Sequence, residues 1–129
     1  LTEVRRAAPM PIATGELLFS LAAFRPLFAA RAVDYPMPDL LRVGGITAFR
    51  KVAHLAEAFG LPVANHLAPE VSAHVLAAVP NGHIVEYVPW AWRLFHDGPR
   101  LEQGEIVLGD VPGHGLLLDR DFVQRHALR

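Results

Sequence analysis

The sequence predicts an α/β fold in which parallel strands alternate with helices. Three observations carry this prediction. Short apolar runs recur four times, at Met10–Thr14, Ala32–Pro38, Leu61–Ala64 and Ile84–Val85. Stretches with helical spacing separate them, and alternation of this kind implies a parallel sheet covered by helices. An ionisable residue sits at or just after the end of each run: Glu16, Asp39, His66 and Glu86. Their separations are 23, 27 and 20 residues, each about the length of one βα unit.

The elements follow in order. The charged stretch Leu1–Arg6 reads as the tail of a helix that began earlier. After the first run, a helix is expected from about Phe24 to Arg31, with Pro26 tolerated only near its first turn, where a missing N–H costs little. The prolines of the second run make it a poor central antiparallel strand. The next helix is the clearest element. Ile46, Phe49, Val52, Ala53, Ala56 and Phe59 form its apolar stripe, and Arg50, His54 and Glu57 its polar face. Gly60 and Pro62 stop it. Pro69 opens a helix that Pro80 and the Asn81–Gly82 turn end. The tail Leu101–Gly115 is rich in turns, with a short strand at Ile106–Leu108, and Asp119 caps a last helix through about His126.

Composition narrows the function. Of 129 residues, 52% are hydrophobic, so a packed core is expected. Twelve basic residues nearly balance thirteen acidic ones, which gives no footprint for nucleic acid and no polybasic membrane patch. No apolar run is long enough to span a bilayer, and no signal peptide opens the chain. The absence of cysteine excludes a disulfide scaffold, a thiolate zinc site and a cysteine nucleophile, and fits a cytoplasmic location.

In a parallel sheet the C-terminal strand ends lie on one rim, where α/β barrels build their active sites. Capping or solvated loop residues are the competing reading of the four positions. Four in register are hard to explain by packing, because a buried carboxylate or imidazole is costly unless paired. The residue types indicate the chemistry. Glu16 is a carboxylate suited to a hard divalent cation such as Mg²⁺. Asp39 and His66, on neighbouring strands, allow a carboxylate to hold one imidazole nitrogen while the other handles a proton. Glu86 can hydrogen-bond to a substrate oxygen as charge develops there. Adjacent strands are about 4.8 Å apart, so Asp39 and His66 can touch, whereas Glu16 and His66 stand about 10 Å apart with room for substrate.

At these residues the chain resembles the mandelate racemase-like subgroup of the mandelate racemase/muconate lactonizing enzyme family, in the enolase superfamily. Ile12-Ala-Thr-Gly-Glu16 resembles the fifth barrel strand, where the glutamate is the third metal ligand. Met37-Pro-Asp39 and the turn through Thr47 resemble the sixth, whose aspartate forms a dyad with histidine. Asn65-His66 and Pro69–Ala78 resemble the seventh strand and its helix, with His66 in the place of the catalytic base. Ile84-Val-Glu-Tyr87 resembles the eighth strand, whose glutamate faces the enolate. Pro112-Gly-His-Gly115 resembles the closing motif, with His114 in a usually apolar slot.

The resemblance implies the C-terminal half of a (β/α)₇β TIM-like barrel. Residues 1–100 would be barrel and 101–129 a closing segment, with the N-terminal capping domain and first strands absent. It implies Mg²⁺-dependent removal of the proton α to a carboxylate, through an enediolate. A sugar-acid dehydratase is favoured, and a 2-hydroxy-acid racemase is the alternative. The expected complete protein is a homo-oligomer acting on a small carboxylate such as a sugar acid. The isolated chain, with one metal ligand of three, is expected to be inactive, a non-enzymatic fragment. The rival fold is a doubly wound sheet, in which the strand order reverses.

Other signals are weaker. His66, Glu70 and His74 lack the His-Glu-X-X-His spacing of a zinc helix. Gly44-Gly45 lacks a full phosphate-loop motif and reads as a turn. Ser20 and Ser72 have no nucleophile-elbow context. Trp90, Trp92 and Phe95 either wall a pocket or form a packed aromatic cluster.

Overall fold

A computed structural model describes residues 1–98 and 100–128. Helix α1 (Thr2–Ala7) leads into strand β1 (Ala13–Thr14), helix α2 (Leu21–Ala29), strand β2 (Tyr35–Pro36) and helix α3 (Ile46–Ala58). Strand β3 (Val63–Ala64), helix α4 (Pro69–Ala77) and strand β4 (Gly82–Ile84) complete the alternation. No helix among the described residues is long and apolar enough to cross a membrane.

The strands lie side by side in chain order. β1 pairs in parallel with β2, Ala13 opposite Tyr35 and Thr14 opposite Pro36. β3 pairs in parallel with β4, Val63 opposite Gly82 and Ala64 opposite Ile84. β2 and β3 are joined by a single parallel bridge, Asp39 to His66, where the His66 N–H donates to the Pro38 carbonyl at 3.2 Å. The order is therefore sequential, without the reversal of a doubly wound sheet. The ladders are much shorter than the apolar runs. Pro36 and Pro38 offer no N–H, so β2 cannot sustain continuous pairing on both sides.

The core lies between these strands and the helices. Phe24 and Phe28 of α2, Phe49 and Val52 of α3, and Val33 and Val63 at the strands are almost wholly buried. The Phe24 and Phe28 rings pack 5.7 Å apart, an ordinary separation for tilted aromatic pairs. At the outer end of the barrel layer, Asp34 accepts from Arg5 Nε at 2.8 Å and from the Ile12 N–H at 2.8 Å. One carboxylate thus ties α1, β1 and β2 together.

Several boundaries differ from the sequence prediction. α2 begins at Leu21, after Ser20, rather than at Phe24. Pro26 therefore lies inside the helix, on its exposed side, where the lost hydrogen bond to Ala22 faces solvent. Ile46 and Phe59, expected on the core stripe of α3, are 52% and 45% exposed. They lie at the helix ends, beyond the reach of the neighbouring layer, although Phe59 still packs on Phe28 at 5.8 Å. α4 ends at Ala77, short of Pro80. β4 spans Gly82–Ile84 rather than Ile84–Val85.

The tail holds more than the one expected strand. Strands β5 (Arg100–Glu102) and β6 (Glu105–Val107) form an antiparallel hairpin. Its two-residue turn, Gln103–Gly104, has positive φ at both positions, the geometry that matches hairpin twist. Helix α5 (Arg120–His126) starts where Asp119 accepts from the Phe122 N–H at 2.8 Å.

Candidate functional site

Each of the four ionisable residues lies just past the C-terminal end of a strand: Glu16 after β1, Asp39 after β2, His66 after β3 and Glu86 after β4. Because the strands are parallel and neighbouring, the four share one rim.

Gly15 seats the first of them. Its φ is +135°, and a Cβ there would lie 2.8 Å from the Phe24 ring and 3.3 Å from the Met37 nitrogen. Only glycine lets β1 turn so close to α2 and β2. The Gly15 N–H donates to Glu16 Oε2 at 3.0 Å.

Asp39 is anchored on both oxygens. Oδ1 accepts from the N–H groups of Leu41 and Arg42 at 2.8 and 2.9 Å, which also fixes the turn into α3. Oδ2 lies 2.9 Å from His66 Nδ1. An ionised carboxylate only accepts, so the proton of this contact sits on His66 Nδ1 and the neutral ring keeps its Nε2 lone pair. The Asp39 side chain is buried and that of His66 partly exposed. Burial pushes the Asp39 carboxyl upward. The hydrogen bonds from His66, Arg42 and Leu41, with the nearby Arg42 charge, outweigh it and hold the group below its ordinary value of 3.8.

A folded-state pKa below the unfolded one means that Asp39 stabilises the fold fully above about pH 4, and that this contribution disappears as pH falls through the lowered value. Denaturant unfolding of wild type and Asp39→Asn between pH 2 and pH 7 should show their stability difference shrinking at the acid end. A difference that stays constant over that range would contradict the ionised, anchored carboxylate.

Glu86 is reached from the same loop as His66. Its Oε2 accepts from the Leu67 N–H at 2.7 Å. Glu16 makes no direct contact with the other three. Arg42 stands between, with Nη1 donating to the Glu16 carbonyl at 3.2 Å and Nε 3.8 Å from Asp39 Oδ2. Among the described residues no group of three His, Asp or Glu side chains can hold a metal ion. Glu16 offers a hard oxygen donor of the right kind for Mg²⁺, which takes about six oxygens.

Several residues at the site escaped the sequence reading. Asn65 is fully buried and bridges β3 to β4, its Oδ1 accepting the Glu86 N–H at 2.8 Å. Ser72, dismissed as a nucleophile, is also fully buried and bonded to Asn65 at 2.9 Å. Glu70 is 3% exposed and accepts the Ala91 N–H at 3.1 Å. A polar residue directly after an apolar run, as Asn65 is after Leu61–Ala64, is the one available signal. Trp92 and Phe95 pack edge to face at 6.4 Å, and Trp92, with His74 and His114, also lines a hollow of about 240 Å³ in the tail.

Sequential parallel βα units carrying their ionisable residues to one rim define a sector of a (β/α) barrel. The chain belongs to the enolase C-terminal domain-like family, whose model matches residues 1–122. Its structural neighbours include solved structures of mandelate racemase/muconate lactonizing enzymes. It is 36% identical to D-xylonate dehydratase of Haloferax volcanii, over 95% of this chain and 32% of that protein. It is 37% identical to L-talarate/galactarate dehydratase of Salmonella typhimurium, over 90% of this chain and 29% of that one. Among solved structures, an enolase from Bradyrhizobium complexed with magnesium and mandelic acid superposes with a TM-score of 0.90 at 35% identity, over 99% of this chain and 35% of the other. L-talarate dehydratase from Polaromonas, complexed with Mg and L-glucarate, superposes with a TM-score of 0.87 at 41% identity, over 95% and 34%. The chain thus spans about a third of the length of the proteins it matches.

Proposed function

We propose that the complete protein removes the proton α to the carboxylate of a sugar acid and then eliminates water. The observation that carries this is the 2.9 Å contact between His66 Nδ1 and Asp39 Oδ2 at the strand ends. It leaves Nε2 as a base of fixed direction and tautomer. His66 takes the α-proton onto Nε2, and Asp39 stabilises the imidazolium that forms. The substrate becomes an enediolate. Loss of the β-hydroxyl, protonated by the same imidazolium, releases water and leaves an enol that becomes the 2-keto-3-deoxy acid. Glu86, with one oxygen held by the Leu67 N–H, keeps the other for a substrate oxygen.

Glu16 would supply one ligand to Mg²⁺, which when bound contributes positive charge that favours ionisation of the carbon acid. In this reading residues 1–100 are the C-terminal part of the barrel and 101–129 its closing segment, of which position 129 lies outside the described residues. The first strands, further metal ligands and a capping domain come from the rest of the protein. The dehydratase names of the relatives support the substrate class. Racemisation of a 2-hydroxy acid is the second reading, favoured by the mandelic acid bound to the Bradyrhizobium neighbour. We also place the complete protein in the cytoplasm as a homo-oligomer. The lack of cysteine in this chain fits a reducing compartment.

The test is incubation of the complete protein with Mg²⁺ and a panel of aldonates, aldarates and 2-hydroxy acids in D₂O. Deuterium at the α-carbon is expected, together with a 2-keto-3-deoxy product from at least one sugar acid. Exchange with inversion and no elimination selects the racemase. Neither exchange nor a 2-keto-3-deoxy product with any substrate removes both.

A further inference from the structure

His66 and Glu86 stand on different strands, yet one buried amide reaches the backbone of both regions. Asn65 Oδ1 accepts from the Glu86 N–H at 2.8 Å. Its Nδ2 lies 2.8 Å from the Leu67 carbonyl, 2.9 Å from Ser72 Oγ and 3.4 Å from the Glu86 carbonyl. Ser72 Oγ in turn lies 2.6 Å from the Ala68 carbonyl, to which it donates, and 3.1 Å from that of Leu67. Both side chains are fully buried.

These bonds converge on an unusual stretch of backbone. Leu67 and Ala68 have φ of +53° and +44°, left-handed values that are unfavourable for a residue with a Cβ. Two such residues in succession persist only where surrounding bonds hold them. The conformation has a product. It aims the Leu67 N–H at Glu86 Oε2, 2.7 Å away, one residue beyond His66. A buried amide with only a packing role needs partners of any kind. Here every partner is the backbone of Leu67 or Glu86, or the serine that grips the same loop.

We propose that Asn65 and Ser72 are a positioning pair, which holds the Leu67–Ala68 turn and thereby sets His66 and Glu86 in one arrangement for the reaction proposed above, on which this inference rests. Neither residue touches substrate.

The experiment uses the complete protein with Mg²⁺ and the sugar acid identified by the exchange assay. Asn65→Asp keeps size and the acceptor for Glu86 but turns a donor into an acceptor facing the Leu67 and Glu86 carbonyls. Ser72→Ala is the milder change and guards against loss of folding in the first. Each should lower kcat about 10- to 100-fold and leave KM within about threefold. In protein labelled with ¹⁵N-leucine, the Leu67 amide proton, downfield because its hydrogen bond to Glu86 Oε2 is short at 2.7 Å, should move upfield in Ser72→Ala. Glycine accepts the left-handed turn without help, so Ser72→Ala/Ala68→Gly should recover part of the lost rate and return the resonance. A purely structural role predicts no such rescue. Unchanged kcat in both single variants overturns the proposal, as does a loss of rate with the Leu67 amide unmoved. A wild-type protein with neither α-exchange nor dehydration removes the functional reading instead. The response of the Leu67 amide to Ser72→Ala then decides the positioning pair by itself.

Discussion

Replacing His66 by asparagine in the complete protein is expected to slow α-proton exchange and product formation together by about 10²- to 10⁴-fold, the range for loss of a positioned acid–base group. Asparagine suits the test because its amide can still donate to Asp39 Oδ2, so the buried carboxylate is not left without a partner. What disappears is the Nε2 lone pair. Substrate affinity should change little, since the interaction removed belongs to the transition state. The measurement is deuterium incorporation followed by NMR, with circular dichroism to show that the fold is kept. Exchange at the wild-type rate would remove His66 from the role of base and leave the Asp39 contact a structural hydrogen bond.

The largest expected effect on stability lies at Gly82. A Cβ at this position would come 2.2 Å from the Leu76 carbonyl oxygen and 2.9 Å from its carbon. The obstacle is backbone near the end of α4, so no side chain can rotate away. Gly82→Ala must push β4 and α4 apart, at a cost of about 3 kcal/mol if the strand survives. The damage reaches the site, because Glu86 follows β4 by two residues. Gly109→Ala, where nothing lies within 4 Å, is the control and should stay within about 0.5 kcal/mol of wild type. Equal urea midpoints for the two variants would show that α4 and β4 pack less tightly than described.

The alternation of elements and the four rim residues were legible in the sequence because each is a local pattern, an apolar run closed by a polar residue. Strand length was not, since it depends on which N–H groups the neighbouring strand can use, and the prolines at 36 and 38 decide that. The start of α2 is not legible because proline ordinarily marks a first turn, whereas the bond missing at Pro26 is harmless on an exposed face. The exposure of Ile46 and Phe59 follows from where the next layer ends, which helical spacing does not encode. The β5–β6 hairpin did have a signal, a glycine in a two-residue turn. Asn65 and Ser72 had the least, because what defines them is Glu86, 21 residues beyond Asn65, and a loop conformation visible only in three dimensions.

The sequential order of strands bears on how the chain is made. Each strand finds its partner one βα unit away: Ala13 with Tyr35, Asp39 with His66, Val63 with Gly82. Among the described residues these pairings wait for no distant part of the chain, so contacts between neighbouring units can form in the order of synthesis, and short sequence separations favour quick closure. At every stage of translation only the most recent strand offers an open edge on the growing side, and the following unit covers it. A pause on the ribosome between β3 and β4 would leave the edge of Val63 and Ala64 exposed longest, together with a half-made Asn65 network. Synonymous codon changes in that interval are therefore the place to look for effects on yield that the folded molecule alone would not explain.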